Sequence, residues 1–546
     1  MKDNLLTLQG ILNHSVKTFA DREAFAFLDE KAYTYGDVGK ITSTLRYHLE
    51  QLNIKKGDRV AIFSSNSPNW SISYFAIVSM GAVVVPILPD FTTEEAKNII
   101  DHSETSAIFV SEGLYPKLQG ICDKIPLIKI EDYSIYPGKG DSTIYDPNKE
   151  STVNYSVNPE DLAAIIYTSG TTGKSKGVML LNSNIASNVH QGKDIQPIDE
   201  NDRFLSILPL SHTFENTLGM LVPFMSGSKI TYLKKPPTAA ILLPALEKVR
   251  PTTMFSVPLI IEKIYYSKIK PSLTGNIFMA TLYKFPPVRK ILHKVAGKKL
   301  YKTFGGCLRF FGIGGAKLSR DVELFLLEGA FPYAIGYGLT ETSPLLAGMV
   351  PKHEKYKLQS TGEAIKDVTI KISDPDPRTG EGEVWVKGPN IMQGYYKDPV
   401  LTAEVLTEDG WFKTGDLGML DKKNFLSIRG RSKNVIIGAS GENIYPEEIE
   451  SIINNFKHVA ESLVIQQKGR LVALVHINRE EIEEKYRFQK EEMARKVEEM
   501  IDEILKEIHH HVNAKINKFS RIQKVVLQPV PFKKTATLKI KRYLYN

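Results

Sequence analysis

The sequence predicts an α/β protein: a large N-terminal domain of mixed and parallel sheets over residues 1–432, with a β-rich subdomain at about 355–432, and a small α+β C-terminal domain over 433–546. Three observations predict it. Short apolar runs alternate with amphipathic stretches along most of the chain. From Thr361 the pattern changes to short β-rich pieces punctuated by turns. After the string RGRSKNVI at 429–436 it changes again, to two apolar runs and a heavily charged stretch. A chain of 546 residues also exceeds what a single hydrophobic core usually serves.

The alternation starts with an apolar run at 59–63, a helical stretch near 70–80, an apolar run at 82–87, a helical stretch at 93–102 and an apolar run at 106–110. This is the βαβ rhythm of parallel strands covered by helices. It continues at 163–167, 253–257 and 308–313. Residues 60–89 carry no charged side chain, which invites a transmembrane reading. Ser64, Ser65, Asn66, Ser67, Pro68 and Asn69 interrupt that run and Pro86 closes the apolar remainder, so it reads as buried strand, helix, strand. In the β-rich part, Asp374-Pro375, Asp376-Pro377 and the glycines at 380 and 382 mark bends. Beyond 433, strands are expected at 462–465 and 471–477, followed by an exposed charged helical run at 479–511. His509, His510 and His511 are adjacent, and such neighbours diverge on a helix, so a solvated face is expected there rather than a metal site.

Composition narrows the function classes. With 42% hydrophobic and 24% charged residues the chain is an ordinary ordered globular protein. A net charge of +8 over this length is a mild excess that suits nucleotide or coenzyme A handling and does not indicate nucleic acid. Cys122 and Cys307 stand far apart, supporting neither a disulfide framework nor zinc. The first residues lack the apolar run and small-residue cleavage pattern of a secretion signal, so a cytoplasmic protein is expected.

The most informative segment is LAAIIYTSGTTGKSKGVMLL at 162–181: a buried strand, a run of small hydroxyl and glycine residues with two lysines, then a second apolar run. Glycines admit backbone N–H groups to phosphate oxygens, hydroxyls add donors, and lysines add positive charge. Gly173-Lys174-Ser175 resembles the end of a Walker A loop. That loop needs glycine where this chain has Thr168, and it opens into a helix, whereas Gly177 and an apolar run follow here. A β-hairpin over a nucleotide is the expectation.

The string YTSGTTGKSKG at 167–177 closely resembles the signature loop of the AMP-forming, adenylate-forming superfamily of acyl-CoA synthetases, luciferases and adenylation domains. Further segments follow in that family's order: LPLSHTFE at 208–215, GIGGAKL at 312–318, GYGLTET at 336–342, GWFKTGDLG at 410–418, RGRSKNVI at 429–436 and KTATLKIKR at 534–542. LPLSHTFE together with VPLIIEKIY at 257–265 is most similar to the long-chain fatty acyl-CoA synthetase branch.

The resemblance implies ATP-dependent activation of a fatty acid through an acyl-adenylate, with transfer to coenzyme A. Thr168, Ser169, Gly170, Thr171, Thr172, Gly173 and Lys176 would cradle the β- and γ-phosphates. Glu341 would hold Mg2+, consistent with the oxygen ligands that a hard cation takes, and Thr340 would contact the α-phosphate and the carboxylate. Gly314, Gly315, Ala316, Tyr337 and Gly338 would form the adenine slot. Asp416 would accept from the ribose hydroxyls, and Arg431 would be the partner arginine on the ribose and phosphate side, with a structural ion pair as the competing reading. Lys539 would bridge the α-phosphate and the incoming carboxylate; Leu538 stands where the family commonly has glycine, and this leaves Lys541 as an alternative. The C-terminal domain would be mobile, hinged at Lys433, with Gly441 in a loop lining the pantetheine path. His212 would stand where the acyl pocket meets the thiol path, with a buried structural histidine as the competing reading. Ser175, Asn182 and Asn434 depart from the family's common proline, histidine and aspartate.

Two rivals stand beside this reading: a ligase that hands the acid to a carrier protein or keeps the adenylate, and an idle acyl-nucleotide binding protein. The joint presence of Lys176, Glu341, Asp416, Arg431 and Lys539 argues against idleness. Residues 265–311 interleave Lys268, Lys270, Lys284, Arg289, Lys290 and Lys294 with Phe278, Tyr283, Phe285 and Ile291. That segment reads equally as a patch for peripheral contact with the inner face of a membrane and as a helix pair with a basic outer face.

Overall fold

The computed structural model describes residues 5–122, 124–136, 145–169, 175–349, 356–438, 442–486, 493–535 and 539–545. Among these, the charge-free run near the N-terminus forms the centre of a seven-stranded sheet. Strand Arg59–Phe63 lies between Val83–Ile87 and Thr105–Val110, parallel to both. The connecting helix Pro68–Ser79 buries every residue except Asn69. Its start is set by Pro68 in the first turn and by the Ser67 hydroxyl, which accepts from the Trp70 N–H at 2.9 Å. A helix apolar all round belongs in a core. No helix of the described residues is long and apolar enough to cross a membrane.

The expected hairpin closes one side of this sheet: Leu162–Ser169 pairs antiparallel with Ser175–Leu181, Tyr167 lying opposite Gly177. Beyond it the two-residue strand Gly394–Tyr395 pairs with Val178 and Met179. A second sheet of nine strands is mixed. Its parallel centre runs Tyr333–Gly338, Phe310–Ile313, Thr253–Ser256, Arg203–Ser206, Lys229–Tyr232 and Glu23–Phe27, and antiparallel strands finish both edges. The two sheets share one core, in which Trp70, Phe75, Phe224 and Phe25 are fully buried and the Phe75 and Phe224 rings lie 4.4 Å apart.

The β-rich part forms a four-stranded antiparallel sheet of Thr369–Ser373, Gly382–Lys387, Phe412–Leu420 and Leu426–Arg431. Residues beyond 436 pack around their own apolar clusters, against the three-stranded sheet of Val459–Gln467, Arg470–Ile477 and Lys524–Leu527. The α/β class and the smaller C-terminal part are therefore as the sequence predicts. One expectation is corrected. The charged run is not a freely exposed helix: Met493–Lys515 buries Val497, Ile501, Ile504, Ile508 and Val512, an i, i+3/i+4 stripe that covers the small sheet. Of the adjacent histidines, His511 stacks edge-on against Phe456.

Candidate active site

In open α/β sheets, ligands bind beyond the carboxyl ends of the parallel strands. Three such ends of the nine-stranded sheet meet here. Strand Arg203–Ser206 leads into His212, Phe310–Ile313 leads into Gly314, Gly315 and Ala316, and Tyr333–Gly338 leads into the turn Thr340–Thr342. Gly338 is required at that turn: a Cβ would lie 1.8 Å from the Pro344 carbonyl oxygen. Gly315 adopts φ +84°, a conformation open to glycine and strained for other residues.

The β-rich sheet supplies the facing wall. Asp416 and Arg431 are opposite residues on adjacent antiparallel strands, and Arg431 Nε lies 2.9 Å from Asp416 Oδ1. Tyr337 Oη donates to the other Asp416 oxygen at 2.6 Å. Asp416 is buried, and desolvation holds its carboxyl above the usual range although Arg431 opposes the shift. Arg431 is itself desolvated by the cleft walls, but Asp416 keeps it above the ordinary arginine range. Its Nη1 also donates to the Thr414 carbonyl at 2.9 Å, which fixes the plane of the guanidinium.

The other cations converge on the same cleft. Lys176, opposite Thr168 in the hairpin register, is held below the usual lysine range by desolvation and by the nearby charge of Lys433. Its ammonium sits 5.1 Å from the centre of the Tyr395 ring. Lys539 comes from the C-terminal part, where the Thr535 N–H donates to the Lys539 carbonyl and Lys539 N–H to the Thr535 hydroxyl. Much of the Lys539 residue stays solvent accessible, yet crowding around its ammonium, and then Arg431, lower its pKa against the pull of Asp416 and Glu341. Lys541, two residues on, faces elsewhere: its ammonium is 3.5 Å from Glu95 Oε1.

Glu341 sits in the Thr340–Thr342 turn, its carbonyl accepting from the Met392 N–H at 2.9 Å and its carboxylate from the Tyr395 hydroxyl at 2.9 Å. Among the described residues no cluster of three or more metal-binding side chains occurs. His212 is pushed down to about 4 by burial and by the charge of Lys539, so it is neutral at ordinary pH. An apolar cavity of about 40 Å³ is lined by Phe214, Leu218, Phe255, Phe310, Ile313 and Leu345. Gly170, Thr171, Thr172, Gly173 and Gly441 lie outside the described residues, and the side chain of Ser169 is not described.

The structure thus brings together Lys176, Tyr337, Glu341, Asp416, Arg431, Lys433, Lys539 and His212. Two neighbours were not singled out in the sequence. Tyr395 reaches the site only through the pairing of a two-residue strand with a segment more than two hundred positions earlier. Glu215 follows His212 by three positions on the wide-turn helix Phe214–Leu221 and is fully buried, with Ser206 donating to it at 2.6 Å. A charged residue inside the apolar run after LPLSHTF was its available signal. Two of the three departures found in the sequence have local side-chain partners: Asn434 donates to Glu447 at 2.6 Å, and Asn182 accepts from the Leu8 N–H at 3.0 Å.

The chain is 30% identical over 537 residues to the peroxisomal long chain acyl-CoA synthetase 6 of Arabidopsis thaliana, covering 87% of this chain and 74% of that one. It is 29% identical to long-chain-fatty-acid–CoA ligase 1 of Saccharomyces cerevisiae, covering 81% and 72%, and 29% identical to a chloroplastic long-chain-fatty-acid–[acyl-carrier-protein] ligase of Arabidopsis thaliana, covering 79% and 70%. Among solved structures, the o-succinylbenzoate coenzyme A synthetase of Bacillus subtilis in complex with ATP and magnesium ion shares the fold at a TM-score of 0.75 and 21% identity, over 98% of both chains. The C-terminal domain of AMP-binding enzymes matches residues 433–544. With residues 12–396 matching the AMP-binding enzyme family over more than half of its length, the chain belongs to that family.

Proposed function

We propose that the protein activates a medium- or long-chain fatty acid with ATP and passes the acyl group to coenzyme A. The observation that carries the reading is the neighbourhood of two unlike spaces: a polar cleft holding Lys176, Arg431, Lys433 and Lys539, and an apolar cavity whose lining residues Ile313 and Gly336 directly precede Gly314 and Tyr337 of the cleft. The cleft suits a polyphosphate, and the apolar lining of the cavity suits the start of an acyl chain. The long-chain relatives support the choice of acid.

In the first step a carboxylate oxygen attacks the α-phosphorus, the carboxyl-to-phosphorus bond forms, and pyrophosphate leaves as the α–β bond breaks. Lys539 holds the incoming carboxylate and the α-phosphate, whose crowded negative charge otherwise opposes the attack. Lys176 and the hairpin loop hold the departing pyrophosphate. Asp416 accepts from the ribose hydroxyls, Arg431 keeps it ionised, and Tyr337 with Gly314, Gly315, Ala316 and Gly338 borders the base. The Glu341 carboxylate, whose described partner is the neutral Tyr395 phenol, fits a divalent cation. Mg2+ held by Glu341 would offset the negative charge of the phosphates. In the second step the thiol sulfur attacks the acyl carbon, AMP leaves, and neutral His212 borders the route between cavity and cleft.

A carrier-protein phosphopantetheine is the second acceptor to test, because one 29%-identical relative is named as such a ligase. A cytoplasmic setting, peripheral to a membrane, goes with this reading. The deciding experiment follows pyrophosphate release with ATP and magnesium across acids from acetate to oleate, with and without coenzyme A, and weighs the thioester by mass spectrometry. Acyl-CoA from long acids is the expected result. Pyrophosphate without thioester would move the acceptor to a carrier protein, and no release with any acid would overturn the reading.

A further inference from the structure

The chain carries no acidic residue from 263 to 320. Within that span stand two helices, Ile277–Tyr283, capped by the Asn276 side chain, and Pro286–Thr303, begun by its prolines and parted from the first at Phe285. The first is rich in Ile, Phe, Met and Leu, and none of its residues is buried. Ile277 is 88% and Phe278 71% exposed; Phe285, Ile291 and Val295 follow at 57%, 64% and 68%.

The second helix is turned against the usual pattern. Its buried residues are His293, Gly297 and Leu300. At about 100° per residue, Ile291 and Val295 point roughly 160° and 200° away from His293, so the outermost line of the helix is apolar until Lys302 joins it in the last turn. Lys294 and Lys298 flank that line on one side and Lys299 on the other. Among the described residues Lys284, Lys290, Lys294, Lys298, Lys299 and Lys302 form no ion pair.

The face is also held rigidly. Arg289 makes a two-pronged contact with Glu328 at 2.7 and 3.0 Å. His293 Nδ1 lies 2.7 Å from the same carboxylate, and the Tyr283 hydroxyl lies 2.7 Å from His293 Nε2. Exposed apolar side chains are thus presented on a fixed base inside a ring of unpaired ammonium groups.

From this arrangement we infer that residues 277–302 dock on an anionic lipid bilayer, with Ile277, Phe278, Phe285, Ile291 and Val295 entering the headgroup layer and the lysines meeting lipid phosphates. Charge selects the occupant. A second copy of the same face would set lysines against lysines, whereas an anionic bilayer matches both the cations and the apolar tips.

The test is flotation of the full chain with vesicles of phosphatidylcholine alone or mixed equally with phosphatidylglycerol, without ATP, acid or coenzyme A, so that its outcome is independent of the catalytic reading. The chain should float with the anionic vesicles and detach as salt rises. Phe278→Ser with Ile291→Ser should weaken binding at least about tenfold, and Lys294→Glu with Lys298→Glu at least about 25-fold, since each surface lysine contributes about fivefold. These side chains are exposed, and an unchanged circular dichroism spectrum checks the fold of each variant. Failure to float with anionic vesicles, or variants that float like the parent, would overturn the proposal. So would a concentration-dependent dimer lost in the Phe278→Ser, Ile291→Ser variant without any vesicle binding.

Discussion

Lys539 and Lys541 are two residues apart and serve different parts of the molecule. Lys539 stands among Arg431, Asp416, Glu341 and His212, whereas Lys541 meets Glu95 at the edge. Lys539→Ala should therefore lower adenylation by about 10²–10³-fold, the usual loss on removing one group that stabilises developing charge. Acyl-adenylate supplied from outside should still react with coenzyme A. Lys541→Ala should change either half-reaction by less than about fivefold, because a partly exposed ion pair contributes at most about 1 kcal/mol. Measuring pyrophosphate release and thioester formation separately for both variants decides the assignment. Glu215 makes a different kind of statement. Burial pushes its carboxyl up from 4.5 to about 8. Across that window the folded protein keeps a proton that the unfolded chain releases, so stability falls as pH rises, by up to about 1.4 kcal/mol per unit. Glu215→Gln keeps the shape without the ionisation. Urea denaturation from pH 5 to 8 should show a shallower decline in the variant, and equal slopes would refute a protonated Glu215.

At the scale of elements, the turn after Tyr333–Gly338 is the part least tolerant of change. Gly338→Ala would push a methyl group into the Pro344 carbonyl and part the turn that presents Thr340 and Glu341. We expect about 1–3 kcal/mol of destabilisation, as for other overpacked sites, together with loss of adenylation. Chemical denaturation and pyrophosphate release check the two effects. The pairing of Leu162–Ser169 with Ser175–Leu181 was legible in the sequence because Gly177 and the apolar run after it cannot open a Walker-type helix. Asp416 and Arg431 were legible one at a time, each in its own string. Their mutual contact was not, since cross-strand register depends on the intervening turn rather than on either string. Tyr395 was illegible for a similar reason: a two-residue strand has no periodicity, and its partner lies far back in the chain. The run at 479–511 misled by composition, because its charges outnumber the aliphatic residues whose spacing makes one face of Met493–Lys515 a core surface.

Over the whole molecule, Lys539 reaches the cleft because the C-terminal part is clasped by contacts around its margin. Lys541 meets Glu95, Lys317 meets Glu448 at 2.7 Å, and Lys515 lies 4.0 Å from Asp321. All are partly exposed, so each contributes little and together they form a weak clasp that salt screens. Glu448→Gln, away from the cleft, removes the Lys317 partner. It should slow adenylation by up to about fivefold and leave the reaction of supplied acyl-adenylate with coenzyme A unchanged; equal slowing of both would show that the clasp does not govern which half-reaction is favoured. The strand that carries Arg431 ends two residues before the point where the C-terminal family match begins. On a turning body, points beside the axis travel least. A guanidinium fixed to Thr414 and Asp416 at that place would stay on the nucleotide while the distant Lys539 swings through a wide arc, so the reactive intermediate would remain moored, and shielded from loss to bulk water, during the exchange of one catalytic surface for the other.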